Sequence, residues 1–241
     1  MSIKKTNKKI LIVAGYGMTY GMGHWLRCTL LKQYLLKIFL QVDLIKLNEF
    51  FHHETISYSL IIFDIRDVTL KSLSIYEKKN QSILFIDNMA KKNSTCNYWL
   101  TLPHVDFPIS QNLLLLNNIL IPQEMLRKRY LKAKKNNSKL HLLKKRDARQ
   151  VDFDLFKSKR SSQKKFIKKL LKAQSIRAYF GQTVFESIYL KVANIYLEPI
   201  TPYHFQLNQL LVKLHRSKSF YRNLTGQGYK RLISRITQLL A

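Results

Sequence analysis

The sequence reads as an α/β protein built around a parallel sheet. Short apolar runs alternate with longer amphipathic stretches, as strands alternate with crossover helices. The first run, KKILIVA, passes into a glycine-rich turn, GYGMTYG, and a helical pattern follows it. A chain of 241 residues that is 46% hydrophobic and 12% aromatic can also bury a real core, as one domain or two small ones.

HWLRCTLLKQYLLKIF places Trp25, Leu26, Leu30, Leu31, Leu35 and Ile38 at helical spacing after the first strand. QVDLIKL is expected as a second strand and SLIIFDI as a third that ends in Asp64. A helix is expected around Leu70 to Lys79, then SILFIDN as a fourth strand. TCNYWLTL and NNILIP read as short strands or extended segments at the edge of the sheet. From Gln123 to Lys172 the pattern is helical and basic, with KLHLL the one candidate strand. IRAYFGQT and NIYLEPI read as strands, each followed by a helix, VFESIYLKV and PYHFQLNQLLVKLHRS, and RNLTGQGYKRLISRITQLL supplies a closing amphipathic helix. The expected organisation is a parallel-sheet domain over 1–122, a basic helical linker over 123–172 and a shorter half over 173–241.

The formal charge of +28 points to a polyanionic partner or to a composition bias that coats the surface with lysine. Arg127 to Lys172 carries RKRYLKAKK, LKKRDAR, KSKR and KKFIKKLLK against only Asp147, Asp152 and Asp154, which makes it the best candidate for contact with an anionic membrane surface. Nucleic acid is not the expected partner: SFYRNLTGQGYKR could stack on bases, but such a pattern is more often half core and half surface. The apolar run behind Lys4, Lys5, Lys8 and Lys9 is too short for the core of a signal peptide, and no run approaches the roughly 20 residues of a membrane span. A cytoplasmic protein is expected, at most peripheral to the inner membrane face. Cys28 and Cys96 lack motif spacing, and His52, His53, His104, His141, His204 and His215 lack ligand spacing, so neither a disulfide framework nor a metal site is expected, and no cofactor is implied.

Four of the seven glycines, Gly15, Gly17, Gly21 and Gly23, lie just ahead of His24. A glycine turn between a strand and a helix presents unpaired N–H groups and the positive end of the helix dipole, and the missing Cβ lets an oxyanion approach. A phosphate cradle and a plain tight turn both fit this pattern. At the helix start the dipole favours a neutral imidazole, so His24 can serve as a general base beside a phosphate, or simply pack there. Asp64, Asp67 and Asp87, at strand ends, suit substrate orientation or capping of the next helix.

GMGHWLRC resembles the G-x-G-H-x-x-R-C signature of the UDP-sugar hydrolases of pseudaminic acid biosynthesis and of the related spore-coat polysaccharide biosynthesis proteins. FIDNMAKKNSTCNYWL is similar to that family's I-D-D/N segment, NNILIPQEMLRKRY to its linker, and FGQTVFESIYLKVANIYLEPITPYHFQLNQ to its G-G-x-T-x-x-E helix, strand and Asn-Gln pair. The resemblance implies the GT-B architecture of two Rossmann-like halves, the second one reduced here, because no counterpart of the family's G-G-S/T-D loop is found between Arg127 and Ile176. It implies a nucleotide-sugar hydrolase that cleaves a UDP-linked amino sugar in surface polysaccharide or nonulosonic acid biosynthesis. His24 would activate water, Gly21 and Gly23 would shape the turn, Gly181, Thr183 and Glu186 would face the nucleotide, and Asn208 would lie near the sugar or diphosphate. A GT-B glycosyltransferase and a non-catalytic relative that binds an anionic partner are the alternatives.

Overall fold

The computed structural model describes residues 6–16, 23–52, 57–66, 81–88, 95–128, 138–141, 163–178, 180–199 and 201–241. The chain divides into two compact units, residues 1–100 with 230–241, and residues 101–229. Among the described residues no helix is long and apolar enough to cross a membrane.

In the first unit β1 (Thr6–Ala14), β2 (Phe39–Lys46), β3 (Leu60–Asp64), β4 (Ser82–Ile86) and β5 (Asn97–Trp99) form an all-parallel sheet in the order β2-β1-β3-β4-β5. Helix α1 (Gly23–Leu35) returns the chain from β1 to β2, and the short α2 (Leu47–Phe50) follows β2. Strands covered on both faces need apolar residues at every position. LIIF of β3 meets that demand, and so does ILIVA of β1, all of it fully buried. On one face an aromatic ladder runs from Phe50 to Phe63, Phe85 and Tyr98, with ring centroids 5.2, 5.3 and 5.5 Å apart. Asp64 is the exception, a fully buried acid that closes β3 in register with Ala14 of β1 and Ile86 of β4.

The second unit carries three parallel strands, β6 (Ser138–His141), β7 (Ala173–Ala178) and β8 (Asn194–Leu197), in the order β6-β7-β8. Two helices precede the sheet, α3 (Ile109–Leu115) and α4 (Gln123–Lys128). Helix α5 (Gln163–Lys172) leads into β7, and α6 (Gln182–Tyr189) links β7 to β8. After β8 come α7 (Pro202–His215), α8 (Ser219–Asn223) and α9 (Gly228–Leu240). Ile167 and Leu170 of α5, Phe185 of α6, Leu207 and Leu214 of α7 and Phe220 of α8 share one core.

Several elements differ from the sequence-based expectation. Within the segment read as a basic helical linker, the candidate strand KLHLL is present as β6, shifted by one residue to begin at Ser138 and ending at His141. NNILIP is a single 3-10 turn, Leu116–Asn118, followed by buried extended chain that joins neither sheet, and its Ile119 and Ile121 belong to the core of the second unit. The division at residue 100 therefore precedes the expected boundary at 122. At the other end, residues 230–241 belong to the first unit, where Arg235 donates to Asn97 at 2.9 Å. Gly228, which opens α9, is demanded by close approach, since a Cβ there would lie 2.3 Å from the Ile119 carbonyl oxygen. The helix expected over Leu70 to Lys79 lies outside the described residues.

Candidate functional site

In open parallel sheets the crevice for ligands lies beyond the carboxyl ends of the strands, where the strand order reverses. Here the reversal falls between β1 and β3, because the chain steps from β1 out to β2 and then back past β1 to β3. His24 comes to that point from the first turn of α1, and Asp64 from the last residue of β3. His24 Nδ1 stands 2.7 Å from Asp64 Oδ1, with the imidazole 14% exposed and the carboxylate fully buried.

Arg27 and Cys28 follow His24 by three and four positions, so the helix places all three on one side. Arg27 grips Asp64 with two nitrogens, Nε on Oδ2 and a terminal amino group on Oδ1. Its other amino group donates to Asp87 Oδ2 at 2.6 Å. The Cys28 thiol donates to Asp64 Oδ2 at 3.2 Å. Asp87 holds its end of the bridge in the left-handed region, φ 50°, which Asp tolerates better than most side chains, and its N–H donates to Trp99 O at 2.9 Å.

The electrostatics follow from this packing. Burial pushes the Asp64 carboxyl upward, but Arg27 and then His24 outweigh it and hold the acid well below the usual carboxylate range. Burial opposes the charge of Arg27 as well, yet Asp64 and Asp87 raise it above its ordinary value. The thiol of Cys28 is pushed up, first by burial and then by the Asp64 charge, so it is a donor to the carboxylate and not a nucleophile. A permanently charged Asp64 offers only lone pairs, and the 2.7 Å contact therefore requires the proton on Nδ1 of His24. In the neutral ring Nε2 then carries the lone pair, which is the arrangement of a carboxylate-oriented general base. Arg27 also approaches Nδ1, at the longer distance of 3.3 Å.

Around this cluster Tyr16 meets Trp25 edge to face at 5.5 Å, and Lys46 at the end of β2 lies over the Tyr16 ring at 5.1 Å. The buried indole Nε1 of Trp99, the last residue of β5, has no hydrogen-bond partner among the described residues. Among the described residues, a Cβ built on Gly23 would meet nothing within 4 Å. Gly17, Gly21 and Asp67 lie outside the described residues. Asp64 and Asp87, expected at strand ends to orient a substrate or cap a helix, are both bound to Arg27. Arg27 is marked in the sequence only by the G-x-G-H-x-x-R-C resemblance, and its contact with two strand-end acids is not legible there, because an arginine in a chain of 42 Lys and Arg otherwise reads as surface.

The remaining expected residues belong to the second unit. Gly181 is the residue before α6, in extended backbone that any residue adopts, and Thr183 lies half-buried in the first turn. Glu186 is 8% exposed, and burial, only partly offset by Gln182, pushes its carboxyl up to about 7. Asn208, in the second turn of α7, is half-buried, and its Oδ1 has no partner among the described residues. Among the described residues no group of three or more His, Cys, Asp or Glu could hold a metal ion.

No protein-family model, no curated protein and no solved structure matches this chain.

Proposed function

We propose that the protein is a nucleotide-sugar hydrolase of GT-B type that cleaves a UDP-linked amino sugar, in surface polysaccharide or nonulosonic acid biosynthesis. The observation that carries this reading is the 2.7 Å contact between His24 Nδ1 and the buried Asp64 carboxylate at the strand-order reversal of a parallel sheet. The diphosphate takes the amino end of α1, where Gly23 and the first N–H groups of the helix suit an oxyanion. Nε2 of His24 takes a proton from water, the water oxygen bonds to the anomeric carbon, and the bond from that carbon to the diphosphate breaks to release UDP. Asp64 then faces the imidazolium it has helped to form, and Arg27 keeps Asp64 charged throughout.

The resemblance of the glycine turn and the FGQTVFES segment supports the choice of UDP and of an amino sugar. By that resemblance Gly21 shapes the turn, while Gly181, Thr183, Glu186 and Asn208 of the second unit contact the nucleotide and sugar. Asn208 Oδ1 suits this role as an acceptor with no partner among the described residues, and Glu186 brings a buried carboxyl raised to about 7. A transferase would use the same histidine on an acceptor hydroxyl, with the basic 127–172 segment against an anionic membrane.

The test is UDP release from UDP-linked amino sugars. His24→Ala should lower it by about 100-fold or more, the span of a lost general base, with an unchanged circular dichroism spectrum. Full activity in that variant would refute the mechanism, dependence on an added acceptor would favour transfer, and no turnover with no UDP-sugar affinity would favour the non-catalytic relative.

A further inference from the structure

A groove of about 510 Å³ lies on the second unit, and none of the residues assigned above lines it. Its floor is apolar, with Ile195 and Leu197 from β8 and Val212 from α7. Its rim is cationic and aromatic, with Lys191 from the turn after α6, Arg216 from the end of α7 and Tyr221 from α8. Val212 and Tyr221 are large apolar side chains left 49% and 51% exposed. The Tyr221 hydroxyl is fixed by His215 Nε2 at 2.6 Å. No acidic residue lines the groove among the described residues, and the sequence from Pro199 to Ala241 contains seven Lys and Arg but no Asp or Glu.

Lys191 is the unusual member. Val192 N–H donates to Ser187 O at 3.0 Å and Lys191 N–H to Ile188 O at 3.0 Å, the closure of a helix whose next residue turns left-handed. That position ordinarily belongs to glycine, yet Lys191 holds it at φ 58°. A lysine is favoured near a helix carboxyl end, but glycine would close the same turn without backbone strain. The strained choice puts an ammonium group at the rim of an apolar groove.

We propose that this groove docks on the surface of an anionic phospholipid bilayer, with lipid headgroups against Lys191 and Arg216 and the acyl boundary against Val212, Tyr221 and the groove floor. Charge complementarity selects an anionic surface, and the exposed aliphatic and tyrosine side chains select a membrane over a nucleic acid, since tyrosine favours the boundary between headgroup and acyl chain.

The experiment is co-sedimentation of the full chain with phosphatidylcholine vesicles, with and without phosphatidylglycerol. Because +28 of formal charge attracts any anionic surface, the comparison is between two double variants of equal charge change. Lys191→Gly with Arg216→Gln removes the rim, and Lys230→Gln with Arg231→Gln removes two exposed cations of α9 that do not line the groove. The first pair should weaken binding to phosphatidylglycerol vesicles at least tenfold and the second less than threefold. Lys191→Gly alone should weaken binding with a melting temperature unchanged or raised, which separates lost contact from lost fold. Val212→Glu should also release the protein. Equal losses in the two double variants would overturn the proposal, and so would equal competition by single-stranded RNA in wild type and rim variant.

Discussion

Asp64, at the end of β3, and Glu186, in α6, are both buried acids, and their surroundings drive them in opposite directions. Asp64 is gripped by Arg27 and touched by His24 and Cys28, and it stays charged despite complete burial. Glu186 has only the Gln182 amide to set against burial, and its carboxyl rises to about 7. Burial by itself neutralises a carboxyl, and only an enclosed cation keeps it a carboxylate. The first unit thus holds a fixed charge that can orient a base, whereas the second holds an acid that changes state near neutrality.

The difference can be broken at either end. Asp64→Asn keeps shape but offers Nδ1 an amide N–H, which favours the opposite tautomer of His24 and leaves Nε2 protonated. UDP release should then fall about 100- to 10,000-fold, an effect as large as the loss of His24 itself. Arg27→Met removes the cation and strands two buried carboxylates, which should destabilise the first unit by about 3–5 kcal/mol in urea unfolding. Glu186→Gln should act in the other direction. The folded-state value of Glu186 is raised from 4.5 to about 7, so its stability contribution is complete below about pH 4.5 and is lost as pH rises through about 7. The variant should be more stable than wild type by about 1–3 kcal/mol at pH 8, with little difference near pH 4. Asp64, with its depressed value, contributes stability above the usual carboxylate range that is lost on acidification. A wild-type stability that is flat between pH 5 and 8, unchanged by Glu186→Gln, would remove the contrast.

Much of the first sheet is legible in the sequence because strands buried on both faces leave no polar positions: ILIVA, LIIF and ILFI announce themselves. The second sheet is harder to read. β6 is four residues of SKLH between lysines, and β8 alternates exposed and half-buried positions as an edge strand. Helix α3 is hidden because ISQNLLL follows Pro108 and lacks charge, and Asn112 at its centre is a buried polar residue that donates to the carbonyls of His104 and Phe107 at 2.8 and 2.9 Å. Of the site, His24 is legible from the glycine turn and Asp64 from the end of its strand. Their pairing is not, since it depends on the parallel register that sets Ala14 beside Asp64. Arg27 is the residue that composition conceals most completely. Glu186 illustrates another limit: its place three residues past a threonine at a helix start is legible, but the burial that raises its carboxyl is not.

The claim beneath the mechanism is that Asp64 fixes the proton of the His24 ring on Nδ1. Long-range ¹H–¹⁵N correlation of histidine-labelled protein, recorded at alkaline pH, reads the tautomer directly, with His24→Ala providing the assignment. A protonated Nδ1 and an unprotonated Nε2, exchanged in Asp64→Asn, is the predicted result. An Nε2–H ring in the wild type, indifferent to Asp64, would contradict it.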